Sequence, residues 1–250
     1  MTSKKPVIAL AQIKYFDLNR AHNTQKIIKY IKIAKRAGAD IVCFPESCLT
    51  KKGTLPINHK IINRIREECK KQSIWAIITE DIFFKGKPYN AALLINRKGK
   101  IKGWYQKINL FGDKVNPGRL VKVFKTDFGK IGMAICWDVS FPKLFKKMKD
   151  AGAEIVFCPS QWWYEAKAHD SIKKRKEREF HLLESLIMTR AFENLFFVAL
   201  CNPVQDSEHQ ISYSAIASPH KILKRIVNKE GLITAEINLN EIGKLQKIYQ

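Results

Sequence analysis

The feature that most restricts the fold is an alternation along the whole chain, in which short β-rich apolar runs are separated by amphipathic helical stretches. This is the pattern of an α/β layer structure, because each kind of element must bury its apolar side against the other. The runs predict strands near Val7–Gln12, Ile41–Phe44, Trp75–Thr79, Ala91–Asn96, Ile101–Gln106, Ile131–Cys136, Ile155–Cys158, Phe196–Leu200, Ile211–Ala217 and Leu232–Ile237. From Thr24 to Ala37, Ile27, Ile28, Ile31 and Ala34 recur at helical spacing, and Gly38 ends the pattern. Ile61 to Cys69 and His181 to Glu193 are the other helical segments, the second with Leu182, Leu183, Leu186, Ile187 and Ala191 on one side. No linker, low-complexity tract or internal repeat interrupts the alternation, so residues 1–250 are expected to form a single domain.

Composition narrows the class. With 46% hydrophobic residues in 250 there is apolar material for a sizeable core, and no Gly, Pro, Ser or Gln tract points to disorder. No apolar run approaches the roughly 20 residues needed to cross a bilayer, and no membrane partner is expected. The N-terminal MTSKKPVIALAQIKYFD has a Lys pair but only a short apolar stretch, Val7 to Ala11, too short for a signal-peptide core; a cytoplasmic location is expected. Six cysteines are too sparse for a disulfide scaffold. Cys43, Cys158 and Cys201 lie inside apolar runs, where a reduced buried thiol is the ordinary reading, and no spacing resembles a metal site.

The formal net charge is +22, yet Lys outnumbers Arg 35 to 10 and the basic residues are spread along the chain. A nucleic-acid reader more often uses Arg forks within a recognisable module, and no zinc finger, RNP aromatic pattern or KH loop is present. The charge therefore reads as a solvated Lys-rich surface, with no specific nucleic-acid partner expected. The densest cluster, Lys173-Lys174-Arg175-Lys176 with Arg178, opens a helical pattern and reads as its wet face, nonspecific polyanion binding being the alternative.

Three reactive side chains fall at the ends of apolar runs: Glu46 after IVCFP, Lys107 after GWYQ, and Cys136 after IGMAI, followed at once by Trp137-Asp138. Ligands of α/β sheets bind outside the carboxyl ends of the strands, so the three are candidates for one pocket. Each alone has a plain reading, as a turn glutamate, a surface lysine or a core cysteine. Together they supply the parts of acyl transfer. A thiol with a pKa near ~8.5 is mostly protonated at neutral pH and needs an adjacent base or cation to attack. Glu46 could be that base and Lys107 that cation. The rival, Cys/His catalysis, lacks a histidine placed like Glu46; His181 is the best of six and sits in a helical pattern beside Leu182 and Leu183. No GxSxG elbow, Gly-rich phosphate loop or HExxH pair occurs.

At these residues the chain resembles the nitrilase, or carbon–nitrogen hydrolase, superfamily. VIALAQ with AGADIVCFPE is similar to that family's first strand and glutamate strand, YNAALLINRKGKIKGWYQKINLF to its lysine segment, and KIGMAICWDVSFP to its cysteine segment. FCPSQWW and TRAFENLFFVALCN resemble the distal half, and the blocks follow the family's order. The resemblance implies a four-layer αββα sandwich assembled as a homodimer or higher homo-oligomer. It also implies a Glu–Lys–Cys triad, here Glu46, Lys107 and Cys136, with the Trp137 backbone N–H helping to hold an oxyanion. No metal or other cofactor is implied. The implied substrate is a small amide or N-carbamoyl amine, split through a thioester that releases ammonia or an amine.

The chain departs from its relatives in places. Where many members carry a second glutamate in a loop running toward a Pro-Gly, this loop reads FGDKVNPG and offers Asp113, which could orient Lys107 or be an ordinary turn aspartate. Lys143 follows Phe141-Pro142 where an acidic residue is common, and Thr79-Glu80 stands where a Gly is common. CWDVSFP resembles the amidase and carbamoylase branch more than nitrilases proper. Trp137, Trp162, Trp163, Tyr164 and Phe111 are candidate pocket walls, Trp137 and Trp162 foremost. Two other classes remain as alternatives: a basic polyanion- or nucleic-acid-binding protein, and a catalytically silent interaction protein of the same fold.

Overall fold

Runs such as VIALAQ and IVC are apolar at successive positions, which suits strands covered on both faces. The computed structural model describes residues 5–14, 23–50, 53–164, 175–204 and 209–249. In chain order these form β1 (Val7–Gln12), α1 (Thr24–Arg36), β2 (Ile41–Cys43), β3 (Leu55–Pro56), α2 (Lys60–Gln72), β4 (Trp75–Phe84), β5 (Lys87–Ile95) and β6 (Ile101–Gln106). The second half adds β7 (Val123–Lys125), β8 (Lys130–Met133), α3 (Pro142–Asp150), β9 (Ile155–Pro159), α4 (Arg175–Asn194) and β10 (Phe197–Cys201). It closes with β11 (Tyr213–Ala217), β12 (Ile222–Val227), β13 (Gly231–Glu236) and α5 (Leu239–Tyr249).

One sheet runs β13-β1-β2-β4-β5-β6, with β3 pairing the far end of β4; the other runs β12-β11-β10-β9-β8-β7. Within each sheet the central pairs are parallel, β1 with β2 and β2 with β4 in the first, β8 with β9 and β9 with β10 in the second. The strand period sorts side chains into layers. Ile8, Leu10, Ile77 and Leu94 of the first sheet share one apolar cluster with Ile131, Met133 and Phe157 of the second. Their neighbours Ala9, Ala11, Val42 and Ile78 pack instead with Ile27 and Ile31 of α1 and Ile62 and Ile65 of α2. Leu144, Phe145 and Met148 of α3 and Leu183, Ile187 and Ala191 of α4 join the first cluster from the second sheet's side. Each large aliphatic buried in this way contributes about 1.5–3 kcal/mol. The expected αββα layering is thus what the chain adopts.

Several boundaries differ from those read in the sequence. The strand expected over Ile131–Cys136 stops at Met133, and Cys136–Ser140 forms a 3-10 turn. Arg175–Asn194 is a longer helix than His181–Glu193, with Arg175, Lys176 and Arg178 in it; Lys173 and Lys174 lie outside the described residues. The strand near Ala91–Asn96 begins at Lys87, and the short elements β3, β7, β12, α3 and α5 carried no clear signal. α1 ends as expected, with Lys35 and Arg36 in its last turn and Gly38 at φ +79°.

The edge strand β6 is only half buried, and a loop fixes its end. Gly118 N–H donates to the Lys107 carbonyl at 2.7 Å, and a Cβ on Gly118 would lie 2.2 Å from the Gln106 carbonyl oxygen. Only glycine allows this approach. Gly118→Ala is therefore expected to cost about 1–3 kcal/mol of stability, read as a lower urea midpoint at unchanged m-value; an unchanged midpoint would show that the loop gives way freely.

Candidate active site

Glu46 lies just past β2, Lys107 directly after β6, and Cys136 just past β8. The two sheets meet so that these ends converge, and all three residues line one cavity of about 410 Å³. Glu46 is the hub. Its Oε1 accepts from Lys107 Nζ at 3.0 Å and from Asn90 Nδ2 at 2.9 Å, and its Oε2 accepts from the Gln161 backbone N–H at 3.0 Å. The Cys136 thiol faces the same cavity and lies near enough to the Glu46 carboxylate for each to influence the other's ionisation. Asp113 Oδ2 stands 2.9 Å from Lys107 Nζ and accepts the Phe111 N–H at 2.9 Å, so the ammonium is bracketed by two carboxylates.

Burial is the largest influence on the ionisation of this group. It pushes the Glu46 carboxyl above its ordinary value, against the pull of Lys107. It pushes the Cys136 thiol well above the usual thiol range; Glu46 adds to the rise and Lys107 opposes it. Burial also works against the Lys107 ammonium, but Glu46, Cys136 and Asp113 together hold its pKa above that of a free lysine. The resting thiol is therefore protonated.

The local backbone presents the sulfur. Cys136 has φ +47°, an uncommon conformation for a residue with a side chain. Asp138 holds this bend. Its Oδ2 accepts from Ile135 N–H at 3.0 Å and Tyr105 O–H at 2.7 Å, and its Oδ1 accepts from Asn109 N–H at 2.9 Å and Asn109 Nδ2 at 2.8 Å. The cysteine segment is thus tied to β6 and to the chain just beyond Lys107. Ser47, beside Glu46, is also at positive φ, 49°. The loop after it is held by the buried Glu80, whose Oε2 accepts the N–H groups of Leu49 and Thr50 at 2.9 and 3.0 Å.

Aromatic rings form the cavity wall. Phe111 and Trp137 have centroids 4.8 Å apart, and Trp137 and Trp162 5.7 Å. Trp162 is anchored by its backbone N–H to Asn202 Oδ1 and by its indole N–H to Glu179 Oε2 of α4, both at 2.8 Å. Asn202 is itself linked through Ser214 to Gln12 of β1. Trp163 also lines the cavity, whereas Tyr164 is not among its lining residues. Of the residues singled out in the sequence, Glu46, Lys107, Cys136, Asp113, Trp137 and Trp162 all come together here. His181 is exposed on α4, with Glu177 as its neighbour. Sequence reasoning missed Asn90 and Gln161, and quoted Asp138 without giving it a role. Asn90 stands in a strand run like any other polar residue, and Gln161 contributes a main-chain N–H that no side-chain motif advertises. Among the described residues no His/Cys/Asp/Glu group could hold a metal ion, all six cysteines are free, and no helix is long and apolar enough to cross a membrane.

The two-sheet αββα sandwich defines a class of fold, and comparison with known proteins places the chain in a family. The carbon-nitrogen hydrolase family model matches residues 7–247, and the chain belongs to that family. It is 24% identical over 255 residues to an omega-amidase of Xenopus laevis, covering 91% of this chain and 87% of that protein. The crystal structure of Saccharomyces cerevisiae Nit3, a nitrilase superfamily member, superposes with a TM-score of 0.82 at 23% identity, over 98% of this chain and 94% of that one. A mutant of the amidase from Nesterenkonia sp. AN1 that carries the acetamide moiety of fluoroacetamide on its active-site cysteine superposes with a TM-score of 0.78 at 19% identity. That match covers 100% of this chain and 98% of that one.

Glu80 gives this region a pH dependence. Burial raises its pKa from 4.5 to about 8, and Asp81 beside it rises from 3.8 to about 6, again chiefly by burial. Raised carboxyl pKa values mean that the folded state holds protons the unfolded chain has lost. Their contribution is full below the unfolded values and is lost as pH rises through the folded ones. Stability is therefore expected to fall from about pH 4.5 to about pH 8, with a shallower slope in Glu80→Gln. Urea titrations of both proteins across that window check it; identical slopes would exclude Glu80 as a source.

Proposed function

We propose that the protein hydrolyses a non-peptide carbon–nitrogen bond of a small amide or N-carbamoyl amine through a thioester on Cys136. The observation that carries this reading is the convergence of Glu46, Lys107 and Cys136 on one cavity, with the Glu46 carboxylate accepting from the Lys107 ammonium at 3.0 Å. Glu46 takes the thiol proton as sulfur attacks the carbonyl carbon, so thiolate forms only when it is used. Two of the three ammonium hydrogens of Lys107 face Glu46 and Asp113, leaving the third for the developing oxyanion. The Trp137 backbone N–H, next to the nucleophile at the start of the 3-10 turn, is the second oxyanion donor. Donors placed in this way are worth about 3 kcal/mol each in the transition state. Protonated Glu46 then gives its proton to the departing nitrogen, leaving the thioester. Water, deprotonated by Glu46, releases the acid and restores the thiol. Asp113 is the positioning residue that keeps Lys107 in place from the side opposite Glu46. The reading is supported by the family membership and by the names of relatives that are amidases.

The test is ammonia release from a panel of small primary amides and carbamoyl amines, with intact-mass detection of a fluoroacetamide adduct. Wild type is expected to turn over and to gain the adduct on Cys136, and Cys136→Ala to do neither. Glu46→Gln is expected to lose roughly 10²–10⁴-fold in kcat/KM. Absence of both turnover and adduct in the wild type would remove the hydrolase reading and favour a non-catalytic role.

A further inference from the structure

We infer that Asn90 is a positioning residue for the proposed hydrolysis: its side-chain amide and Lys107 together occupy Oε1 of Glu46, so that Oε2 is the oxygen that takes the thiol proton. This deepens the hydrolase reading above and rests on it. Asn90 lies on β5, is 2% exposed and is not among the residues that line the cavity. It therefore acts on the reaction through Glu46 and not by touching substrate.

The division of bonds on the carboxylate is unequal. Oε1 accepts from Lys107 Nζ at 3.0 Å and from Asn90 Nδ2 at 2.9 Å, which uses both lone pairs of that oxygen. Oε2 accepts the Gln161 N–H at 3.0 Å and keeps one lone pair. The amide is one-sided as well. Asn90 Oδ1 is buried and, among the described residues, has no hydrogen-bond partner. A side chain kept only to fill this space would be better apolar, since a buried acceptor without a partner is costly. The bond to Glu46 is what accounts for an amide here. It also fixes the amide's orientation, because the reversed one would set Oδ1 against a carboxylate oxygen, acceptor against acceptor.

The same residue reaches Lys107. The main-chain carbonyl of Asn90 accepts the Lys107 N–H at 2.8 Å, so one position of β5 holds the base by its side chain and the lysine by its backbone. Any residue at 90 other than proline keeps the main-chain bond, and substitution isolates the amide.

A donor on a carboxylate favours its charged form. Among the described residues, the titratable groups around Glu46 are Lys107 after β6, Asp113 in the loop beyond it, Cys136 after β8, Cys158 of β9 and Asp81 of β4. Asp81 stands opposite Asn90 in the β4–β5 ladder. Asn90 adds a donor to this group without adding a charge, which orients the carboxylate and leaves it basic enough to take a proton.

The test measures two pH profiles: kcat/KM for the panel amide that the wild type uses fastest, and the rate of fluoroacetamide adduct formation on Cys136. Both are expected to fall on the acid side as Glu46 takes up a proton and can no longer act as base. In Asn90→Leu this limb is expected about one pH unit higher, the size of a lost hydrogen bond to a charged group. Above the limb kcat is expected to drop while KM stays within about twofold, since Asn90 does not meet substrate. Asn90→Asp, close in shape, sets a second carboxyl against Glu46 and is expected to move the limb further in the same direction. Asp81→Asn is expected to keep the limb; its disappearance there would assign the limb to Asp81 and overturn the inference. A loss that is uniform across pH with the limb unmoved, or a loss confined to KM, overturns it too. Failure of both Asn90 variants to fold, read by urea titration, makes the amide a folding residue and overturns it equally. In each of these cases turnover by the wild type leaves the hydrolase reading standing. No turnover and no adduct in the wild type overturn both.

Discussion

The structure depends on one buried ion pair. Glu46 and Lys107 stand 3.0 Å apart in the interior, where removing each charge from water costs several kcal/mol before any attraction is counted. Such a pair persists only if its remaining hydrogen-bonding capacity is met. Here the partners come from both sheets: Asn90 from β5 and Lys107 from the end of β6 on one side, the Gln161 N–H just past β9 on the other. The charges are therefore solvated by the fold itself. That requires the carboxyl ends of the central strands to face one another, which a single open sheet could not supply.

The presentation of Cys136 follows from the same arrangement. The positive φ of Cys136 is unfavourable by itself and is sustained by surroundings that over-determine it. Asp138 provides that constraint through bonds to Ile135, Tyr105 and Asn109, which belong to segments far apart in the chain. An acidic residue buried without a cation is costly, and burial does raise the Asp138 pKa. Four hydrogen bonds offset that cost. CWD is thus a mechanical unit, with Cys136 first and its brace two residues on.

Much of this was legible in the sequence, and the reasons differ by element. Central strands such as VIALAQ and IVC are covered on both faces, so their apolar runs are unbroken and easily seen. β7 and β12 lie at the edges of their sheet and carry lysines toward solvent, which hides them as ordinary surface chain. α3 is short and begins at Pro142 directly after the 3-10 turn, so it offers barely more than two turns of pattern. The convergence of Glu46, Lys107 and Cys136 was legible because reactive side chains at strand ends are few. Asn90 and Gln161 were not, since their importance arises from distances that only the folded chain creates. The loop aspartate shows the intermediate case: its position in FGDKVNPG suggested two readings, and in the fold it both stands 2.9 Å from Lys107 and accepts the Phe111 N–H within its own turn.

The reacting groups and the cavity wall hang from different tethers. Glu46 is held by Asn90 and Gln161 and the Cys136 segment by Asp138, while Trp162 is held by Asn202 and by Glu179 on α4, with Asn202 reaching through Ser214 to Gln12. Changes along the second set can reshape the chamber without disturbing the first. The architecture is modular in the sense that matters for evolution: the shape of the cavity can drift while the Glu46–Lys107 pair keeps its bonds.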